Sequence, residues 1–183
     1  MRLSMICRVF GFAIVVVCLF AARAAAQERR AVVFGTIGGA SLGHADSEQG
    51  KAPIFGGGMG FHLTRHFLVE GDVHTASVSN VFGRARHDFR QTTFTASLLF
   101  RSAPDGTAHF IGGGGMGFQR AHTDLDDEGF RIDKTETICL LHGRAGAEWD
   151  VTKRLAIRTE GVLWFGEGLD WVVGGRAGIS YRF

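Results

Sequence analysis

The sequence predicts an all-β protein, an eight-stranded antiparallel up-and-down transmembrane β-barrel. Three observations carry that expectation. Past residue 30 the apolar residues recur with period two rather than with the 3.6 of a helix. The connections between the alternating segments are short and long in turn. The polar face of those segments is too heavily and too continuously charged to be the core of a water-soluble barrel.

The first 26 residues are set apart from the rest. Arg2 and Arg8 give a positive start, Val9 to Ala22 is an apolar run of 14 residues, and Arg23-Ala24-Ala25-Ala26-Gln27 follows. This pattern is that of a secretory signal peptide removed after about Ala26, leaving a barrel domain over residues 27–183. The run is shorter than the roughly 20 residues that a membrane-spanning helix needs. The leader holds three arginines and no acids, so the net charge of +2 for 183 residues becomes −1 for the remaining 157. No basic patch suggests a nucleic-acid partner. Cys139 is the one cysteine past residue 26, so the processed chain is not expected to form an internal disulfide.

Eight segments of about 10 to 14 residues follow, longer than the usual strands of soluble proteins. The first spans 31–42 and the second 53–63. In the third, 67–77, Phe67, Val69, Gly71 and Val73 oppose Glu70, Asp72 and His74. The fourth covers 90–101 and the fifth 108–119. In the sixth, 136–149, Cys139, Leu141, Gly143, Ala145, Ala147 and Trp149 oppose His142, Arg144 and Glu148. The seventh, 155–165, sets Leu155, Ile157, Thr159, Gly161 and Leu163 against Arg158 and Glu160. The last, 171–183, sets Val173, Ala177, Ile179, Tyr181 and Phe183 against Arg176, Ser180 and Arg182. Residues 64–66, 102–107 and 150–154 read as tight turns, and 43–52, 78–89, 120–135 and 166–170 as mostly longer polar loops. The stretches FHLTRHFLVEG (61–71) and WDVTKRLAIRTEG (149–161) form a weak repeat: an aromatic, a Thr-basic turn, then a strand reaching Glu-Gly.

In lipid every backbone polar group must be bonded within the protein, so a sheet crosses only if it closes. An eight-stranded barrel has an interior just wide enough for side chains to fill. The apolar faces are therefore expected to meet acyl chains, and Glu70, Asp72, Arg144, Glu148, Arg158, Glu160 and Arg176 to pair inside the lumen, joined by Arg101 and Arg182. Both copies of the hexapeptide GGGMGF, at 56–61 and 113–118, fit this arrangement. Met59, Phe61, Met116 and Phe118 would face outward, while Gly56, Gly58, Gly60, Gly113, Gly115 and Gly117 face inward and leave room for arginines. A nucleotide-binding glycine loop would need a helix directly after it, and none is indicated. Phe61, Phe67, Phe110 and Trp149 should form an aromatic girdle at the short-turn end, with Phe89, Phe118, Phe165 and Trp171 at the other.

The C-terminal GISYRF ends on Phe183, with Ile179 and Tyr181 alternating before it. This resembles the assembly signal of bacterial outer-membrane barrels. With the leader, the eight segments and the glycine-rich hairpins, the chain resembles the small outer-membrane β-barrel family of the OmpA membrane domain and OmpX, over residues 31–183. The resemblance implies an outer-membrane location, contact with membrane lipid and lipopolysaccharide, and the barrel assembly machinery and periplasmic chaperones as transient partners. A monomer without cofactor or appended peptidoglycan-binding domain is expected.

Three stretches carry residue types that could do chemistry. The lipid A deacylase group is similar in size and uses an H-x-S-N signature. Here His74-Thr75-Ala76-Ser77 does not match it, and His74 and Ser77 fall on opposite faces. The stretch Asp124 to Gly129 resembles the start of a calcium loop but has Thr135 at its twelfth position, so it reads as an acidic hairpin tip. His109, His122 and His142 are scattered, and no local motif activates Cys139, which should face lipid. The expected function is a non-enzymatic structural or surface-interaction barrel. A narrow channel and a lipid A-modifying enzyme are the alternatives.

Overall fold

The computed structural model describes residues 31–44, 47–82, 85–102, 106–127, 130–166 and 169–183, so the predicted leader over 1–26 lies outside the described residues. Eight strands follow in order: β1 (Ala31–His44), β2 (Ser47–His62), β3 (Phe67–Phe82), β4 (Ala85–Arg101), β5 (Ala108–Asp127), β6 (Phe130–Asp150), β7 (Leu155–Gly166) and β8 (Leu169–Arg182). Each pairs antiparallel with its sequence neighbour, and β1 pairs with β8 from Val32↔Arg182 to Ala40↔Gly174, closing the barrel. Closure removes the unpaired edges that a lipid phase cannot satisfy.

The register fixes the shape. From Arg182 the paired residues run Val32, Gly60, Glu70, Ser97, Gly115, His142, Trp164 and back to β8 at Val172, ten residues from the start. A stagger of ten over eight strands sets the strand tilt at roughly 40°. Side chains alternate strictly about this wall. Ile37, Phe55, Met59, Leu98, Phe118, Leu141 and Ile179 are each about half exposed on the outside, while Glu70, Arg158 and Ser180 are almost fully buried inside. A water-soluble protein would reverse this distribution. On β5, eight residues separate Phe110 from Phe118, roughly 20 Å along the axis and close to the apolar band of about 25 Å of outer-membrane barrels.

The strands run farther than the sequence pattern suggests. The stretches 43–52, 78–89, 120–135 and 166–170, expected as loops, instead continue the hairpin ladders to His44↔Ser47, Phe82↔Ala85, Asp127↔Phe130 and Gly166↔Leu169. The physical reason is that a ladder above the membrane has water on both faces. It then needs no apolar face, and period two disappears from the sequence while the pairing persists. The wall is also uneven. Pairing between β2 and β3 stops at Ile54↔Ala76 and between β6 and β7 at Leu140↔Gly166, so β3 to β6 rise beyond the closed cylinder as a four-stranded ribbon.

At the opposite end, the weak repeat noted in the sequence is one turn used twice. Thr64 Oγ1 accepts hydrogen bonds from the amides of His66 (3.2 Å) and Phe67 (3.0 Å). Thr152 Oγ1 does the same for Arg154 (3.2 Å) and Leu155 (2.9 Å). In both turns two successive amides, Leu63 and Thr64 or Val151 and Thr152, donate to the carbonyl of the residue opening the next strand. Replacing Thr64 or Thr152 by Ala should lower the unfolding free energy in detergent by about 1 kcal/mol, and Thr→Ser should retain most of it. Urea titration read by the shift between folded and unfolded gel mobilities checks this.

Candidate functional site

Among the described residues the strands gather buried charge in the lumen, and it is layered. At the short-turn mouth Arg101 and Arg182 meet Glu148 and Asp150: Arg101 Nε donates to Glu148 at 2.9 Å, and Arg182 bonds Glu148 and lies 2.7 Å from Asp150. His109 joins through Asp150 at 3.2 Å. Val32, Leu68 and Leu99 cover this cluster from above. Next comes the central cluster. Arg144 bonds Glu70 and, at 3.0 Å, Asp72. Arg158 donates to Glu70 at 2.7 Å and lies 3.1 Å from Glu160. Arg176 donates to Glu160 at 3.0 Å and to Asp72 at 3.3 Å. Above it sits an apolar layer in which Ile54, Leu140, Trp164 and Val172 pack with Ala40, Ala52, Ala76 and Val162.

Two features of the arrangement matter chemically. Each of these five lumen arginines reaches at least two carboxylates, Arg144 and Arg158 three, and five carboxylates (Glu70, Asp72, Glu148, Asp150 and Glu160) answer them. Charged pairs at such burial stay ionised only because each charge is matched and hydrogen-bonded. The second feature is that several further polar side chains are engaged by the same cluster, while the buried hydroxyls of Thr36 and Ser180 have no hydrogen-bond partner among the described residues. Thr95 donates to Asp72, Ser97 lies 2.8 Å from His142 Nε2, and His74 stands between Arg176 and Asp72. Among the described residues no serine bonds His74: Ser77 lies on the exposed outer face, opposite in parity to the inward His74. A small cavity lined by Ile54, His74, Gln91, Thr93 and Trp164 has room for about one water molecule.

All seven lumen residues singled out in the sequence lie in the interior, and Glu70, Asp72, Arg144, Arg158, Glu160 and Arg176 share the central cluster, while Glu148 lies in the lower one. Arg101 and Arg182 also point inward. The sequence reading missed Asp150, assigned to a turn, and did not place His74, His109 or His142 in the network. Parity within the strand was the available signal, since Asp150 keeps step with Glu148 and Arg144. Ile179, Tyr181 and Phe183 lie on the outer face, with Tyr181 and Phe183 in edge-to-face contact at 5.1 Å.

Two expectations need correction. The inward glycines do not make room for arginines. A Cβ at Gly56 would strike the ring of His74, and one at Gly60 would strike Glu70, so these two admit side chains of the adjacent strand β3. At Gly113, Gly115 and Gly117 a Cβ would meet the backbone of β4 instead, so those glycines allow close strand approach. In the upper girdle, Phe89 keeps step with the inward Thr93 and so belongs to the inner face. Phe55, Phe94 and Phe118 are outward there, the last two stacked at 4.8 Å, and the side chain of Trp171 lies outside the described residues.

Residues 12–161 match the family described as the outer membrane protein beta-barrel domain. A comparison with curated proteins gives no match in sequence. Among solved structures, Ail, the attachment invasion locus protein of Yersinia pestis, aligns with a TM-score of 0.67 at 14% identity, covering 86% of this chain and 100% of Ail. Neisserial surface protein A gives 0.68 at 16% identity over 84% and 97% of the two chains. The outer membrane protein OprG of Pseudomonas aeruginosa gives 0.62 at 14% identity over 85% and 97%. These likenesses are of fold.

The network makes a quantitative demand. Glu70→Gln removes the charge shared by Arg144 and Arg158 and should cost about 3–5 kcal/mol of folding stability. Glu136→Gln, on the exposed upper ribbon, removes a surface pair with Lys134 and should cost under ~1 kcal/mol. Urea unfolding of both variants in the same detergent compares them directly.

Proposed function

The chain belongs to the outer membrane protein beta-barrel domain family and resides in the bacterial outer membrane, and on that basis we propose that it is a non-enzymatic barrel with a structural and surface-interaction role. The lumen is a plug that stabilises the wall, and the raised β3–β6 ribbon is the part offered to the outside. Ile179, Tyr181 and Phe183 serve as the signal read by the assembly machinery during insertion, after passage with periplasmic chaperones.

One observation supports the plug most directly. Five arginines and five carboxylates face one another at two levels, and an apolar layer around Trp164 and Ile54 lies across the path above them. An ion entering from outside would lose its hydration against that layer before reaching any charge able to replace it. The surface role is supported by the ribbon, whose strands extend past the closed cylinder on one side. It is also consistent with the names of two structural neighbours, an attachment invasion locus protein and a surface protein. Against an acyl-transfer chemistry stands the position of His74, held by Arg176 and Asp72 rather than by a nucleophile.

Planar-bilayer recording tests this reading. The folded protein should give no steady current above background, whereas a stable unit conductance would favour the narrow channel. Lipid A from cells with and without the protein should have identical mass spectra; a modification lost on His74→Ala would establish an enzyme.

A further inference from the structure

The five lumen arginines are matched, but two arginines on the outer wall are not. Arg90 on β4 and Arg120 on β5 are exposed, and among the described residues neither guanidinium has a hydrogen bond or ion pair. Their placement is specific. Thr92 pairs with Arg120 and Arg90 with His122, so the two arginines are diagonal neighbours on one face. Such neighbours stand about 7–8 Å apart at the backbone, within reach of a common group for side chains as long as arginine. Because the strands tilt by roughly 40°, the diagonal brings Arg90 and Arg120 to within about 2 Å of the same height above the bilayer. Toward the membrane on the same outward face, two residues from Arg120 and four from Arg90, the face becomes aromatic with the stacked Phe118 and Phe94.

The surroundings are hydroxylic. Thr92 lies beside Arg120, Thr137 faces it from β6, and Thr135 faces His122. The nearest acids do not neutralise the pair. Asp133 lies 3.5 Å from His122, and Asp88, two residues from Arg90, and Asp124, four residues from Arg120, sit farther from the membrane with interactions of their own. Two unmatched guanidinium groups level with each other, ringed by hydroxyls and standing directly on an aromatic girdle, form a receptor for a phosphate held at the headgroup plane.

We propose that Arg90 and Arg120 bind the phosphate of a lipid A headgroup in the outer leaflet. The proposal rests on the orientation in which the raised ribbon faces outward, since only then does this patch meet the lipopolysaccharide leaflet. Forked, bidentate contacts fit a phosphate oxygen pair, and the threonines fit the hydroxyl-bearing sugar that carries it. The site anchors the ribbon at the point where it leaves the closed cylinder.

The test uses the full folded chain in detergent micelles, with bisphosphorylated lipid A, dephosphorylated lipid A and phosphatidylglycerol as separate probes. Wild-type protein should bind bisphosphorylated lipid A at least about tenfold more tightly than either other probe, and R90Q/R120Q should lose that preference. R90K/R120K should keep part of it, because charge remains while the planar fork is lost. Unchanged gel mobility of the folded form shows that each variant still closes. Equal binding by wild type and R90Q/R120Q, or equal binding of phosphorylated and dephosphorylated lipid A, overturns the proposal. Binding of phosphatidylglycerol as tightly as lipid A overturns the lipid assignment in favour of anionic lipids generally. Orientation is read separately, by labelling Lys134 on intact cells with a membrane-impermeant amine reagent. Labelling without lipid A preference sinks the site alone, and no labelling sinks the orientation beneath it.

Discussion

The structure depends on the saturation of buried arginine by buried carboxylate. The interior of an eight-stranded barrel is just wide enough for side chains to fill, so whatever points inward must pack and must satisfy its own polar groups. Here the answer is ionic at two levels. Arg144, Arg158 and Arg176 divide Glu70, Asp72 and Glu160 among themselves, and Arg101 and Arg182 divide Glu148 and Asp150. The contributing strands are far apart in sequence: β3 supplies acids to arginines of β6, β7 and β8. The network thus ties together parts of the wall that the backbone ladder links only through intermediate strands. Losing one member leaves a charge stranded in a medium that cannot solvate it.

The ladder and the network solve different halves of one problem. Hydrogen bonding between strands satisfies the backbone and fixes the stagger, while the side chains fill the cylinder that the stagger defines. Glycine connects the two. At Gly56 and Gly60 the missing side chain is what lets His74 and Glu70 of the neighbouring strand occupy the interior, and at Gly115 and Gly117 it lets β4 approach β5 closely. The outer surface then needs only to be greasy between two aromatic levels, and it tolerates varied residues there. That tolerance accounts for a fold shared with barrels of 14% to 16% identity.

How much of this was legible in the sequence depended on where a residue sits relative to the bilayer. Within the membrane each strand has a dry face and an enclosed face, so parity is strict, and Phe67, Val69 and Val73 against Glu70 and Asp72 could be read directly. Above the membrane both faces are wet, parity carries no signal, and residues 78–82 and 120–127 read as loops although they are paired strand. Asp150 was missed at the other end because a polar residue beside a Thr-basic turn looks like part of that turn. The partnership of acids with particular arginines could not be read at all, since it depends on a stagger that only three-dimensional closure fixes. The role of Gly56 as a cradle for His74 was hidden for the same reason.

The central claim is that the apolar face meets lipid and the charged face is enclosed. Two tryptophans report on it directly, because Trp149 lies on the outer face and Trp164 within the lumen. In single-tryptophan variants folded into bilayers of lipid brominated along the acyl chain, the emission of Trp149 should be strongly quenched. That of Trp164 should match its value in unbrominated lipid. Quenching of Trp164 with Trp149 untouched would mean that the wall is turned the other way, and the account of the lumen would fall with it.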